Sequence, residues 1–317
     1  MIATPALVAG VAFVPVGGAT MARTILSQLD CDPQPSPFDA VGAVDAGAEV
    51  LLRHGNVTPD AAVPLVHGAM FTRGGADLAA TAIFVGGSDV AAAEAVFARV
   101  RQTFFGPVRV SVLLDPAGAN TTASAAVVAA GRHLPLADRA AAATLRAVVL
   151  GGTGPVGQRV ARLLARKGVA VTLASRSLTR AAEVCGRIAA AVPDGRLEPV
   201  EATGAATGGT PLSAAIATAD LIVAAGAAGV TLLDAAGRAA AGRARVLIDL
   251  NAVPPAGIAG VAAADKAKQD AAAVVYGALG VGGTKMKIHR AAIQRLFESN
   301  EICLDAEDLL AIGESLA

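Results

Sequence analysis

The run Gly151-Gly152-Thr153-Gly154-Pro155-Val156-Gly157 constrains the fold more than any other stretch of the 317 residues. It follows a short apolar run at 147–150. It precedes a segment that reads as a helix through Lys167, ended by Gly168. Gly152, Gly154 and Gly157 form G-x-G-x-x-G, and strand, glycine turn and helix in that order are what a dinucleotide-binding unit requires. The reason is steric. Gly152 permits the tight turn, Gly154 lets the backbone approach a pyrophosphate, and Gly157 lets the helix pack close to the strand. The helix N-terminus then turns free N–H groups and a partial positive charge toward phosphates, with Thr153, Pro155 and Val156 completing the cradle. The alternative is an Ala/Gly-rich turn that binds nothing.

The next strand, at 169–174, decides which dinucleotide. An NAD site usually places Asp or Glu about 20 residues after the glycines, to hold the ribose 2′-hydroxyl. Here that place reads Ser175-Arg176-Ser177, with Arg180 one helical turn later. A guanidinium and two hydroxyls suit a 2′-phosphate, so the sequence predicts NADP. The competing reading is two solvated arginines at a helix start, which the positive end of a helix disfavours. Other chemistries find little support. His54, His67, His133 and His289 show no metal spacing, and Cys31, Cys185 and Cys303 are too scattered for a disulfide framework or a zinc site. There is no G-x-S-x-G elbow and no Walker A lysine. Lys+Arg and Asp+Glu are each 26, without the basic excess of a nucleic-acid binder. Hydride transfer remains, with the nicotinamide supplying the reaction and the protein supplying position.

Elsewhere strands and helices alternate. Residues 23–29 read as a strand. Ser36-Pro37-Phe38-Asp39 opens a helix with a cap, a first-turn proline and a carboxylate near the positive end; Gly47 stops it, and Thr58-Pro59-Asp60 repeats the signal. Strands follow at 81–85 and 108–114, with a helix between them capped by Ser88 and running to about Phe105. Asn120-Thr121-Thr122 opens another. Later strands fall at 197–201, 221–225 and 246–249, then a loop at 277–283, a helix from about Lys287 to Ser299 and a last helix from about Asp305. This alternation implies right-handed crossovers and parallel sheets. The expected fold is α/β in two domains, an N-terminal substrate domain and a Rossmann-like NADP domain, with a cleft between them and a linker near 135–143. Residues 1–22 carry no charge, but prolines and glycines interrupt them and they lack a basic n-region. Met21 therefore reads as the natural start and residues 1–20 as an upstream extension, in a soluble, cytoplasmic protein without a membrane span.

Several phrases together are similar to a known family: SPFDAVGAVDAG (36–47), GNVTPD (55–60), FTRGG (71–75), TAIFVGG (81–87), FFGPVRVSVLLDPAGANTTA (104–123), GGTGPVG (151–157), DLNAVPPAGIAG (249–260) and GALGVGGTKMKIHRAAIQRLFES (277–299). From about Met21 to its end, the chain resembles the NADP-dependent methylene-tetrahydromethanopterin dehydrogenases of one-carbon metabolism in methylotrophic bacteria. One branch of that family uses only NADP and accepts tetrahydromethanopterin and tetrahydrofolate carriers; another is restricted to tetrahydromethanopterin and also uses NAD. GNVTPD, FTRGG, KMKIHR and Ser175-Arg176-Ser177 look like the first branch, and DLNAVPPAGIAG is closer to the second.

The resemblance implies hydride transfer from a 5,10-methylene-tetrahydropterin to NADP+, giving the 5,10-methenyl form. Loss of hydride leaves a cation delocalised over two ring nitrogens, so no proton leaves in that step. The protein must hold the methylene carbon against the nicotinamide and exclude water. The resemblance assigns residues 21–143 to the pterin, 144–273 to NADP, and 274–317 to a segment packing back on the first domain, with the site between the domains. There Phe38 packs against the pterin, and Asp39 pairs with its edge or offsets the developing cation. Lys285, in the loop after Gly282-Gly283, anchors a pterin oxygen or nitrogen. Asn120-Thr121-Thr122 forms a further polar cluster. Asn251, ahead of Pro254-Pro255, lies at the nicotinamide end. The blander readings are helix capping for Asp39 and surface lysines for Lys285 and Lys287. The resemblance also implies a homo-oligomer, a trimer. Two alternatives stay open: a shikimate-dehydrogenase-like NADP enzyme, disfavoured because the first 130 residues contain no lysine, and a non-catalytic NADPH-binding protein.

Overall fold

The computed structural model describes residues 22–202 and 209–317; the expectation for residues 1–20 lies outside them. The first half runs β1 (Ile25–Asp30), α1 (Pro37–Asp45), β2 (Val50–His54), α2 (Pro59–Phe71), β3 (Thr81–Gly86), α3 (Val90–Thr103), β4 (Ser111–Leu114) and α4 (Ala119–Gly131). A short α5 (Arg139–Ala142) leads to β5 (Arg146–Leu150), α6 (Pro155–Arg166), β6 (Ala170–Ser175), α7 (Leu178–Ala191), β7 (Arg196–Glu201), α8 (Pro211–Thr218), β8 (Leu221–Ala224), α9 (Ala235–Ala240) and β9 (Val246–Asp249). The chain closes with β10 (Lys268–Asp270), β11 (Ala273–Tyr276), α10 (Ala278–Arg295), β12 (Cys303–Leu304) and α11 (Ala306–Ser315).

Two sheets result. The first is wholly parallel, in the order β12-β4-β3-β1-β2. Every residue of β3 and β4 is buried, as expected of a parallel sheet covered by helices on both faces. The second runs β10-β11-β9-β8-β5-β6-β7, parallel except for the β10–β11 pair. Read from β7 to β11, that is the doubly wound Rossmann order, with its switch point between β5 and β8. Each sheet therefore offers a crevice beyond the carboxyl ends of its strands, at β1/β3 in the first and β5/β8 in the second.

The halves are braced by helices. Arg159 of α6, 4% exposed, donates to Asn120 at the start of α4 (2.7 Å) and pairs with Glu94 of α3 (2.6 Å). Arg162 of α6 pairs with Glu307 of α11 (2.6 Å). The C-terminal segment joins the first half: β12 extends its sheet, and α10 and α11 pack on α4.

Three readings change in the structure. The helix expected from Lys287 begins at Ala278, and Gly282-Gly283 lie inside it rather than in a loop. Glycine here serves close approach, not chain breaking: a Cβ on Gly277 or Gly280 would overlap the carbonyls of Ala262 or Asp265, and Leu279 N–H donates to the Ala263 carbonyl. Asp89, not Ser88, caps α3; its side chain accepts from Ala92 N–H, while Ser88 donates to Asp32. The linker carries a helical turn, α5, capped by Asp138. Strands β2, β10, β11 and β12 were not anticipated. β2 is a half-exposed edge strand, and the other three have four residues or fewer.

Candidate active site

The glycine turn occupies the β5/β8 switch point. Gly151, with φ +71, takes the left-handed conformation, and a Cβ there would sit 2.5 Å from Gly226 Cα. The tight-turn role expected of Gly152 thus falls on Gly151. Gly152 instead packs flat on β6, where a Cβ would lie 2.5 Å from Leu173 Cγ. At Gly157 a Cβ would meet the Gly151 carbonyl oxygen at 2.5 Å, so this residue sets how closely α6 approaches the turn. Gly154 is the N-cap of α6, with Pro155 next and no side chain capping it, which leaves the Val156 and Gly157 amides facing out as an anion cradle. Gly226 was missed by sequence reading, although the apolar run Leu221–Ala224, with Ala225 and then glycine after it, resembles the pattern that marked the first turn.

At the end of β6, Ser175 is buried and its hydroxyl lies 3.1 Å from the Thr153 hydroxyl, tying the second strand to the glycine turn. Ser177 caps α7 through Arg180 N–H (3.3 Å). Arg176 and Arg180 are exposed on this rim. Asn251 follows β9 on the same edge of the sheet; it accepts from Val253 N–H and donates to the Pro255 carbonyl, each at 3.0 Å, and so holds the Pro254-Pro255 loop. The residues of this edge fit a dinucleotide: a bare-backbone cradle on a helix N-terminus and an arginine where the ribose would lie.

A second cluster forms at the carboxyl edge of the first sheet. Asp30, at the end of β1, accepts from the backbone N–H groups of Asp32 (2.9 Å) and Ser36 (3.1 Å). Arg53 of β2 donates to Gln28 (3.0 Å) and to the Pro35 carbonyl (2.5 Å). These bonds fix the loop that launches α1, whose first turn carries Phe38 and Asp39; Ser36 caps it through Asp39 N–H. Helix α10 brings Lys285 over the Phe38 ring, Nζ 4.4 Å from its centroid, and His289 one turn later. Lys285 reaches this position because Gly118, with φ +61, has no side chain: a Cβ there would sit 2.6 Å from Nζ.

His289 is fully buried. Its Nδ1 lies 3.6 Å from Asp115, its ring centroid 6.2 Å from that of Phe38 and 6.0 Å from that of Phe84. Asp115, just past β4, is fully buried too. It accepts from Asn120 N–H (2.9 Å), Thr121 N–H (3.1 Å) and the Thr121 hydroxyl (2.7 Å). Burial raises the Asp39 carboxyl from 3.8 to about 6; Asp115 adds to the rise, while His289, the Ser36 hydroxyl and Lys285 hold it back. Phe38, Asp39 and Lys285 therefore meet. Asn120-Thr121-Thr122 does not present a free polar cluster: Asn120 bonds the Leu114 carbonyl and Arg159, Thr121 bonds Asp115, and Thr122 bonds the Gly118 carbonyl. Sequence reading missed Asp115 and His289. The second was visible in KMKIHR as a histidine four residues after Lys285, on the same helix face.

The Arg159–Asn120 bond joins the two clusters' supporting helices, α6 of the glycine turn and α4, whose first-turn N–H groups donate to Asp115. Fold and site together define a class: two-domain α/β oxidoreductases of the Rossmann type. Within that class the chain belongs to the methylene-tetrahydromethanopterin dehydrogenase family. Residues 37–117 match the family described as methylene-tetrahydromethanopterin dehydrogenase, N-terminal. The bifunctional protein MdtA of Methylorubrum extorquens is 43% identical over 301 residues, 94% of this chain and all of the relative. The NAD(P)-dependent methylenetetrahydromethanopterin dehydrogenase of the same organism is 34% identical over 302 residues, again 94% of this chain and all of that protein. Among solved structures, quinate dehydrogenase from Corynebacterium glutamicum in complex with NAD aligns at 17% identity over 92% of this chain and 99% of its own, with a TM-score of 0.47.

Proposed function

We propose that the protein oxidises 5,10-methylene-tetrahydromethanopterin, and also 5,10-methylene-tetrahydrofolate, to the 5,10-methenyl form, with NADP+ accepting the hydride. The observation that carries this reading is family membership along nearly the whole chain, with relatives covered from end to end. The choice of NADP rests on Arg176 and Arg180 at the rim of β6 and on the missing carboxylate there. We assign residues 21–143 to the pterin, 144–273 to the dinucleotide and 274–317 to a segment completing the first domain, in a cytoplasmic enzyme. Among the described residues no helix is long and apolar enough to cross a membrane. From the family resemblance we read the assembly as a homo-oligomer, a trimer; Val41 and Val44 of α1, 62% and 57% exposed, are apolar side chains available to such a contact.

When bound, the nicotinamide supplies the hydride acceptor. The chain supplies position and charge. The amides at the start of α6, with Arg176, hold the phosphates and so fix the nucleotide along the β5/β8 crevice. Phe38 gives the flat pterin a ring to lie against. Lys285, held over that ring, donates to a pterin oxygen or nitrogen and blocks sliding. Asp39, when ionised, lies where positive charge develops as hydride leaves, and no reorganisation is needed at that moment. Phe38 is half exposed at the mouth of this cluster, so a bound pterin would itself cover its ring and displace the water that would otherwise attack the methenyl cation. NADP+ reduction followed by absorbance, with methylene-tetrahydromethanopterin and methylene-tetrahydrofolate in parallel, tests the reading. Turnover with both carriers is expected; turnover with the first alone refutes the folate half of the reading, and silence with both refutes it whole.

A further inference from the structure

His289 has no hydrogen-bond partner on either ring nitrogen, although it is wholly buried. An unpartnered imidazole in such a place is costly unless a charge faces it. What faces it is known from every side. Asp115 comes from the turn after β4, and Asp39 and the Gly42 backbone come from α1. Lys285 comes from α10 itself, and the Phe38 and Phe84 rings close the remainder. Among these charged groups Asp115 is the one whose carboxylate is held by several hydrogen bonds. Two backbone N–H groups at the start of α4 and the Thr121 hydroxyl converge on it, and its own N–H donates to the Val85 carbonyl at the end of β3. Its carbonyl also accepts from Gly118 N–H, which closes the turn against which Lys285 packs.

We propose that Asp115 is a positioning residue of the hydride-transfer site, fixing the His289 imidazole and, through it and the Gly118 turn, the Phe38 ring and Lys285. This rests on the activity proposed above. Asp115 touches neither pterin nor nucleotide. Its carboxylate orients Nδ1–H of His289, the imidazole lies tilted beside the Phe38 ring and limits its rotation, and the carbonyl of Asp115 shapes the wall beside Lys285. A hydride donor displaced by about 1 Å transfers on the order of 10²-fold more slowly, so a small tilt of this assembly is enough to matter.

The test pairs kinetics with a readout independent of turnover. The chain has four histidines, so selective 15N labelling gives four pairs of ring resonances. Asp115→Asn is expected to shift the His289 pair alone, lower kcat roughly 10²-fold, and leave the KM for methylene-pterin and NADPH affinity nearly unchanged. Thr121→Val, which removes one donor and keeps the fold, should give a smaller shift and loss in the same direction. The double variant with His289→Asn should lose no more than about twofold beyond the worse single variant, because the two residues act as a unit. Unchanged His289 resonances in both Asp115→Asn and Thr121→Val, or losses that multiply in the double variant, would overturn the proposal. An enzyme silent with every methylene-pterin would instead overturn the activity, and the ring resonances would then decide the Asp115–His289 link alone.

Discussion

Gly42→Ala should damage this protein, against the usual expectation for a helix. Gly42 lies inside α1, where alanine is ordinarily better by ~0.5–1 kcal/mol because it loses less backbone entropy. Here a Cβ would sit 2.8 Å from His289 Nε2 and 2.9 Å from Cδ2, well inside contact distance. The ring cannot simply swing away, since Phe38, Phe84 and Asp115 enclose it. Overpacking of this kind costs ~1–3 kcal/mol, which outweighs the helix gain. The relevant comparison is Gly186→Ala in α7, where an added Cβ meets nothing within 4 Å. Urea unfolding of the two variants side by side should show Gly186→Ala stabilised by ~0.5–1 kcal/mol and Gly42→Ala destabilised by up to ~2 kcal/mol. The displaced imidazole should also lower kcat/KM for methylene-pterin in Gly42→Ala alone. If Gly42→Ala proved as stable as Gly186→Ala and fully active, the packing of His289 on α1 described above would be wrong.

Three further outcomes follow from the same geometry. Lys285→Ala should lower kcat/KM for methylene-pterin by ~10²-fold, about 2.7 kcal/mol, with little change in NADPH affinity by fluorescence titration; exposed Lys287→Ala should be far milder. Arg176→Ala should weaken NADP+ binding by ~1.5–3 kcal/mol in calorimetry and leave NAD+ nearly untouched. The pH dependence turns on Asp39, whose carboxyl burial raises to about 6. Because the folded state holds that proton more tightly than the unfolded chain, its contribution to stability is present below about 3.8 and is lost as pH rises through about 6. Activity should run the other way, falling as pH drops through about 6 and Asp39 loses its charge. Asp39→Asn should flatten both profiles, in thermal melts and in kcat/KM.

The glycine turn was legible because its function is local. Backbone that must approach a phosphate needs glycines at fixed spacing, and a strand before and a helix after can be read from the same dozen residues. Ser36-Pro37 and Thr58-Pro59 were legible for a similar reason, since capping is settled within one turn. The start of α10 was not. Gly277 and Gly280 look like chain breakers in sequence, and only the close approach of the turn at 262–265 shows them to be close-packing residues. Gly151 and Gly152 exchanged roles because both satisfy the same pattern, and only the backbone angles tell them apart. Asp115 and His289 escaped notice for a different reason. They are 174 residues apart in the chain, and what joins them is the convergence of β4, α4 and α10. Asn120 and Thr121 illustrate the converse: as sequence they were a polar cluster free for a ligand, yet the fold spends their hydrogen bonds on Leu114, Arg159 and Asp115.

Direct transfer between carbon centres is the central claim, and isotope labelling reads it without reference to any variant. Methylene-tetrahydromethanopterin carrying two deuterons on the methylene carbon should be incubated with this protein and NADP+, and the products analysed by mass spectrometry and NMR. The account predicts one deuteron at the nicotinamide C4 of the reduced nucleotide and one retained on the methenyl carbon, with no exchange into water. Reduced nucleotide without deuterium, or deuterium released to solvent, would contradict it.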